Sequence, residues 1–158
     1  SSRADLLASH IHRHHHWPTW RWWKSLATPT GSDVDAAQLV KAFLPVFRIS
    51  RSAIDALLQA HREGWTGHFE VLVPTVVARH ALRVEDLRAN VPCYVDDSQD
   101  PNPIIPLQST MRWRPEVRLQ EFASRASGPL LFHPVKQNWA YEADGVRRWP
   151  EPQQGAGS

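Results

Sequence analysis

The chain holds a single cysteine, Cys93, among 158 residues. An internal disulfide framework is therefore excluded, and cysteine usage does not place the chain outside the cell. It also lacks any run of one charge. Its 18 Lys and Arg stand against 16 Asp and Glu, for a formal charge of +2. The basic residues are scattered, so there is no electrostatic footprint for a nucleic acid. No apolar stretch approaches the roughly 18–20 residues of a membrane-spanning helix. Ser1-Ser2-Arg3 lacks the basic start and apolar core of a signal peptide. An initiating Met is missing too. The expectation is a segment of a longer protein, with any targeting signal upstream of Ser1. Glycine is scarce, with 7 residues against 13 prolines.

What is present is tryptophan. There are 8, and Trp17, Trp20, Trp22 and Trp23 crowd into one short stretch. A Trp-rich, Pro-rich chain predicts broad apolar surfaces held by irregular loops. Indole faces stack on sugar rings, and they also fill cores. A hydrophobic fraction of 42% is that of a globular protein. The length is enough for one domain with a real core, over residues 1–148, with a flexible tail over 149–158.

Ala4 to Ile11 reads as a strand. His10, His12 and His14 alternate along and after it. They are read either as a solvated His-rich loop or as a convergent metal set. Trp17 to Leu26 reads as a strand with Trp20 and Trp22 on one face, Arg21 and Trp23 on the other. Asp33-Val34-Asp35 before AAQLVKAF reads as the capped start of a short helix. The same three residues spell the Asp-x-Asp that holds a metal-diphosphate in many glycosyltransferases. Pro45 to Ile49 alternates as a strand. Ser50 caps a helix to about Arg62, with Ile54, Leu57, Leu58 and His61 at core-facing spacing. Gly64 ends it.

Trp65-Thr66-Gly67 is a turn, and His68 to about His80 the next helix. Pro74 suggests that its regular part begins only at Val73 or Pro74. Asn90 to Pro106 is Pro-rich and irregular, with Asp96-Asp97 as turn residues or a metal site. Thr110 to Arg114 and Leu130 to Lys136 read as strands, with a short helix over Glu116 to Ser124. Glu70 heads the second helix beside Trp65 and His68. It is either a partner of the helix dipole or, in a half-apolar pocket, a general base.

The segment FRISRSAIDALL…GWTGHFEVLVPTVV resembles the acceptor-side half of an inverting GT-A-type glycosyltransferase. It is similar in plan to the core-2/I-branching N-acetylglucosaminyltransferase and xylosyltransferase family. The parts that carry the resemblance are Ile49-Ser50-Arg51, Ala53 to His61, Gly64 to Gly67, Glu70 and Pro74-Thr75, with His133 and Lys136 of LFHPVK. The resemblance implies an α/β fold: a partial GT-A-like mixed sheet with flanking helices and long Pro-rich loops. It implies inverting transfer from a nucleotide sugar to the hydroxyl of a carbohydrate acceptor, with or without a divalent metal. Glu70 takes the role of base. Trp22, Trp65 and Trp113 stack on sugar, with His68 and His133 at the same site. Lys136 would neutralise the leaving diphosphate, or is a solvated lysine after a strand. The donor-binding half would lie upstream or on a second chain. The alternative is a non-catalytic interaction module docking into a larger assembly through its Trp and Pro surfaces.

Overall fold

Alternation in the first apolar run puts Leu6 and Ala8 on one face of a strand, and both are fully buried. That strand, β1 (Leu6–Arg13), is the centre of a three-stranded mixed sheet. On one side it pairs antiparallel with β2 (Val40–Ile49), and on the other in parallel with β3 (Val84–Asp86). Between β2 and β3 lie two helices, α1 (Arg51–Glu63) and α2 (Phe69–Arg79). The computed structural model describes residues 2–89, 92–94, 109–114, 116–118, 121, 122, 124 and 130–135, together with the backbone of a small antiparallel pair, β4 (Ala140–Tyr141) and β5 (Arg147–Arg148).

α1 starts where expected. The Ser50 hydroxyl accepts the Ala53 N–H at 3.1 Å and donates to Asp5 at 2.7 Å. Asp5 also accepts the Arg83 N–H, so one carboxylate ties together the starts of β1, α1 and β3. These contacts hold its carboxyl below the ordinary aspartate value. Gly64 ends the helix in the left-handed region. The buried stripe differs from the expected one. Ala53, Ala56 and Ala60 face inward, while Ile54, Leu58 and His61 are exposed. The small alanines let α1 approach the layer beneath it closely, and the Ser50 cap sets that rotation.

α2 is apolar nearly all round because it packs in three directions. Val71 meets the tryptophan cluster, Val77 the sheet core with Leu6, Ala8, Ala42 and Leu44, and Val76 the α1 alanines. The helix begins at Phe69 rather than at Val73 or Pro74. The His68 carbonyl accepts from Val71 and Leu72, and the His68 N–H donates to the Ser25 hydroxyl. Pro74 is accommodated inside the helix and buried. Thr75 seats α2 along the free edge of β2. Its hydroxyl accepts the Val40 N–H at 3.1 Å and donates to the Val40 carbonyl at 3.0 Å.

Other expectations are corrected. AAQLVKAF is not a helix: Asp35 caps a single 3-10 turn, Ala36–Gln38, and β2 starts at Val40. Trp17 to Leu26 is not a strand but turns and a 3-10 helix over Arg21–Ser25. Thr110 to Arg114 and the His133 segment meet in one parallel bridge, Met111 to His133, rather than as full strands. Asp96-Asp97, Lys136 and the tail over 149–158 lie outside the described residues.

Candidate functional site

Strand alternation sends Ala42 and Leu44 toward the helices, and Lys41, Phe43 and Pro45 to the opposite face. There they floor a cleft of about 750 Å³. One wall is aromatic: Trp17, Trp20 and Trp22, with His68, Phe69 and Glu70 at the start of α2. The other wall carries Met111 to Arg114, His133 and Pro134. His10 of β1 closes the floor.

The aromatic wall is built by the indoles themselves. Trp23 donates its Nε1–H to the Trp17 carbonyl at 2.8 Å and packs edge-on to Trp20 at 4.9 Å. Trp17, Trp20 and Trp23 are buried together against Val71. A strand would have separated them onto two faces, whereas the tight turns gather all three. Trp22 is left to stack on the His68 ring, 4.4 Å between centres and 13° from parallel. The Arg21 guanidinium lies 4.5 Å from the Trp22 ring centre. Burial, then the charges of Arg21 and Lys41, hold the His68 pKa below its usual value. Its Nδ1 accepts the Glu70 N–H at 3.4 Å, so the neutral ring carries its proton on Nε2.

Gly67 makes this junction possible. Its φ of 153° is a conformation that side chains disfavour, and a Cβ there would lie 3.0 Å from both Leu26 Cα and the Ser25 carbonyl. The close approach brings the first turn of α2 against the tryptophan segment. Glu70 then comes close enough to β2 for the Leu44 N–H to act on its carboxylate. Burial raises its pKa above the ordinary glutamate value, while Lys41, the Leu44 N–H and His10 pull the other way. A carboxylate so placed is a stronger base than a solvated one.

Lys41 is the other charged group of the floor. It is only 6% exposed, and its ammonium sits 4.6 Å from the Trp17 ring centre and 5.0 Å from that of Trp20. Burial lowers its pKa to about 8, and the Glu70 charge partly opposes that fall. No hydrogen bond or ion pair to the Lys41 ammonium occurs among the described residues.

Two histidines are fixed by backbone carbonyls. His10 takes a positive φ of 49° at a bulge, where the β1–β2 register shifts between Ser9 and His12. Its Nε2 lies 2.5 Å from the Met111 carbonyl, and its backbone N–H donates to Tyr94. Tyr94 donates in turn to Asp86 of β3. This chain anchors the Met111 segment over the sheet. His133 meets the Arg112 carbonyl through Nδ1 at 2.8 Å, which leaves Nε2 as an acceptor in the neutral ring. Arg112 itself is buried and held by both oxygens of Glu121 at 2.5 and 2.6 Å.

The bulge breaks the alternation expected of His10, His12 and His14. His10 enters the cleft, His12 packs against Trp17, and His14 belongs to a 3-10 turn beside Trp23. No group of three His, Cys, Asp or Glu suited to a metal occurs among the described residues. Asp33 and Asp35 are exposed, and Asp35 is spent on capping. These residues do not fit a divalent ion.

Of the seven residues singled out from sequence, five line this cleft: Glu70, Trp22, His68, Trp113 and His133. Trp65 does not. The left-handed turn at Gly64 folds it back onto Ala60 and Val76, under the Arg79 guanidinium at 5.1 Å, beside a separate small hollow. Lys136 lies outside the described residues. Lys41, Trp17, Trp20 and Arg21 also line it without being among the seven, as does His10, which the sequence offered only as one of three histidines in a loop or metal set. For Lys41 the signal was there: a lone lysine in the apolar run LVKAFLPVF, hidden by the helical reading of that run. No protein-family model, curated protein or solved structure matches this chain.

Proposed function

We propose that this cleft is the acceptor side of an inverting glycosyltransferase, with a GT-A-type plan and a nucleotide sugar as donor. One observation carries the reading. Glu70, with its pKa raised by burial, opens into a cleft walled by Trp20, Trp22 and Trp113. Indole faces suit sugar rings, and a desolvated carboxylate suits a hydroxyl proton. In the reaction, Glu70 takes the proton of the acceptor hydroxyl as its oxygen attacks the anomeric carbon. The bond from that carbon to the phosphate oxygen breaks, and the nucleoside diphosphate leaves with the electron pair. His133 Nε2 and the His68 Nε2–H offer an acceptor and a donor to sugar hydroxyls. The family resemblance gives Lys136 the part of neutralising the leaving diphosphate.

The test is sugar transfer by the full-length protein, followed as nucleoside diphosphate release across a panel of nucleotide sugars and acceptors. Glu70→Gln is expected to lower turnover by about 10²–10⁴-fold, the usual range for a lost general base. It should spare the fold, because Gln keeps the shape of Glu and Glu70 makes no salt bridge among the described residues. Wild-type turnover in that variant would refute the assignment.

A second reading, a non-catalytic interaction module, is favoured by Ile54 and Leu58. They are 40% and 46% exposed, one turn apart on the outer face of α1. That reading predicts no transfer with any pair in the panel.

A further inference from the structure

Lys41 places a positive charge at the floor of the cleft, and its ammonium has no hydrogen bond or ion pair among the described residues. Its neighbours are two indole rings, whose faces favour a cation but offer its three N–H donors no lone pair. The buried Trp17 Nε1–H, on one of those two rings, has no hydrogen-bond partner among the described residues. Glu70 acts on Lys41 through space but makes no ion pair with it. Arg21 and Arg114 add positive charge to the lining, each over a tryptophan ring. Arg112 does not, since Glu121 neutralises it. Glu70 is the lone carboxylate lining the cleft among the described residues. A cation at the floor of a cleft, with no carboxylate paired to it among the described residues, is placed to bond an anionic group that enters.

We infer that Lys41 is an anion subsite of the cleft and receives the carboxylate or phosphate group of an acidic saccharide. The ammonium supplies the charge-assisted bonds, and the tryptophan wall receives the ring. The inference rests on the cleft being a sugar site, but its test reads binding and not turnover.

The experiment titrates the protein with glucose, glucuronate, glucose 1-phosphate and inorganic phosphate, following tryptophan emission, since Lys41 lies against Trp17 and Trp20. Glucuronate or glucose 1-phosphate should bind at least about ten-fold tighter than glucose, as a charged hydrogen bond allows. Lys41→Met should bring both to the level of glucose. Equal affinity for charged and neutral sugars would overturn the anion subsite while leaving the sugar site standing. Binding of inorganic phosphate through Lys41, with no saccharide bound, would overturn the inference and the sugar reading together. A measurement on the unaltered protein guards against a misfolded variant. The chain has three lysines, Lys24, Lys41 and Lys136, so reductive methylation can be mapped by mass. Bound glucuronate should protect Lys41 and leave Lys24 reactive; failure to protect Lys41 would equally overturn the inference.

Discussion

Taking an ammonium out of water costs several kcal/mol, and each of the two indole contacts at Lys41 returns about 0.5–2 kcal/mol. The balance is unfavourable, which is why burial drives its pKa down to about 8. Below pH 8 the lysine is charged in the folded and unfolded states alike, and the cost is fully present. As pH rises from about 8 toward 10.5, the folded protein loses this proton first, so stability rises with pH across that window. The full difference is about 3 kcal/mol. Lys41→Met should therefore be more stable than wild type at pH 7, by about 1–3 kcal/mol, with the gap closing between pH 8 and 10.5. Urea denaturation of both proteins across that range measures it. A variant less stable than wild type at pH 7 would mean that the lysine is satisfied by a partner.

At the scale of elements, α2 carries the site, because it sets Glu70 against β2. Two residues hold it there. Thr75→Val keeps the shape but strips both bonds to Val40, leaving a buried N–H and carbonyl unpaired. The expected loss is about 2–5 kcal/mol, seen as a lower denaturation midpoint. Gly67→Ala puts a Cβ 3.0 Å from the Leu26 and Ser25 backbone at a φ of 153°. It should cost about 1–3 kcal/mol or more and loosen the Trp22–His68 stack, which near-ultraviolet circular dichroism reports. The legible parts of these elements were local. Ser50, Gly64 and the Trp65-Thr66-Gly67 turn act through their own backbone, so their chemistry shows in the residues. The α1 burial stripe was not legible, because large apolar residues outrank alanine in any periodicity count. Here it is the small residues that allow close packing. The tryptophan segment failed for a similar reason: burial of indoles against Val71 overrides the alternation of a strand.

Across the whole molecule, the cleft joins pieces far apart in the chain: His10, the tryptophan turns, Lys41, the start of α2, and the Met111 and His133 segments. Motif resemblance brought out five of these residues because each sits in a distinctive local string. It misplaced Trp65, whose string looks the same whether the ring turns toward the cleft or back onto α1. It passed over Lys41, whose role exists only once β2 puts it opposite Glu70. The through-space action of Lys41 on Glu70 can be read directly from a pH profile. The acid limb of kcat/KM against pH reports the pKa of the essential base in the free enzyme. For the full-length protein that limb should fall above the ordinary glutamate value of 4.5. In Lys41→Met it should move higher still, since the lysine charge holds Glu70 down. A limb at the ordinary value, or one that Lys41→Met leaves in place, would contradict Glu70 as the base of this cleft.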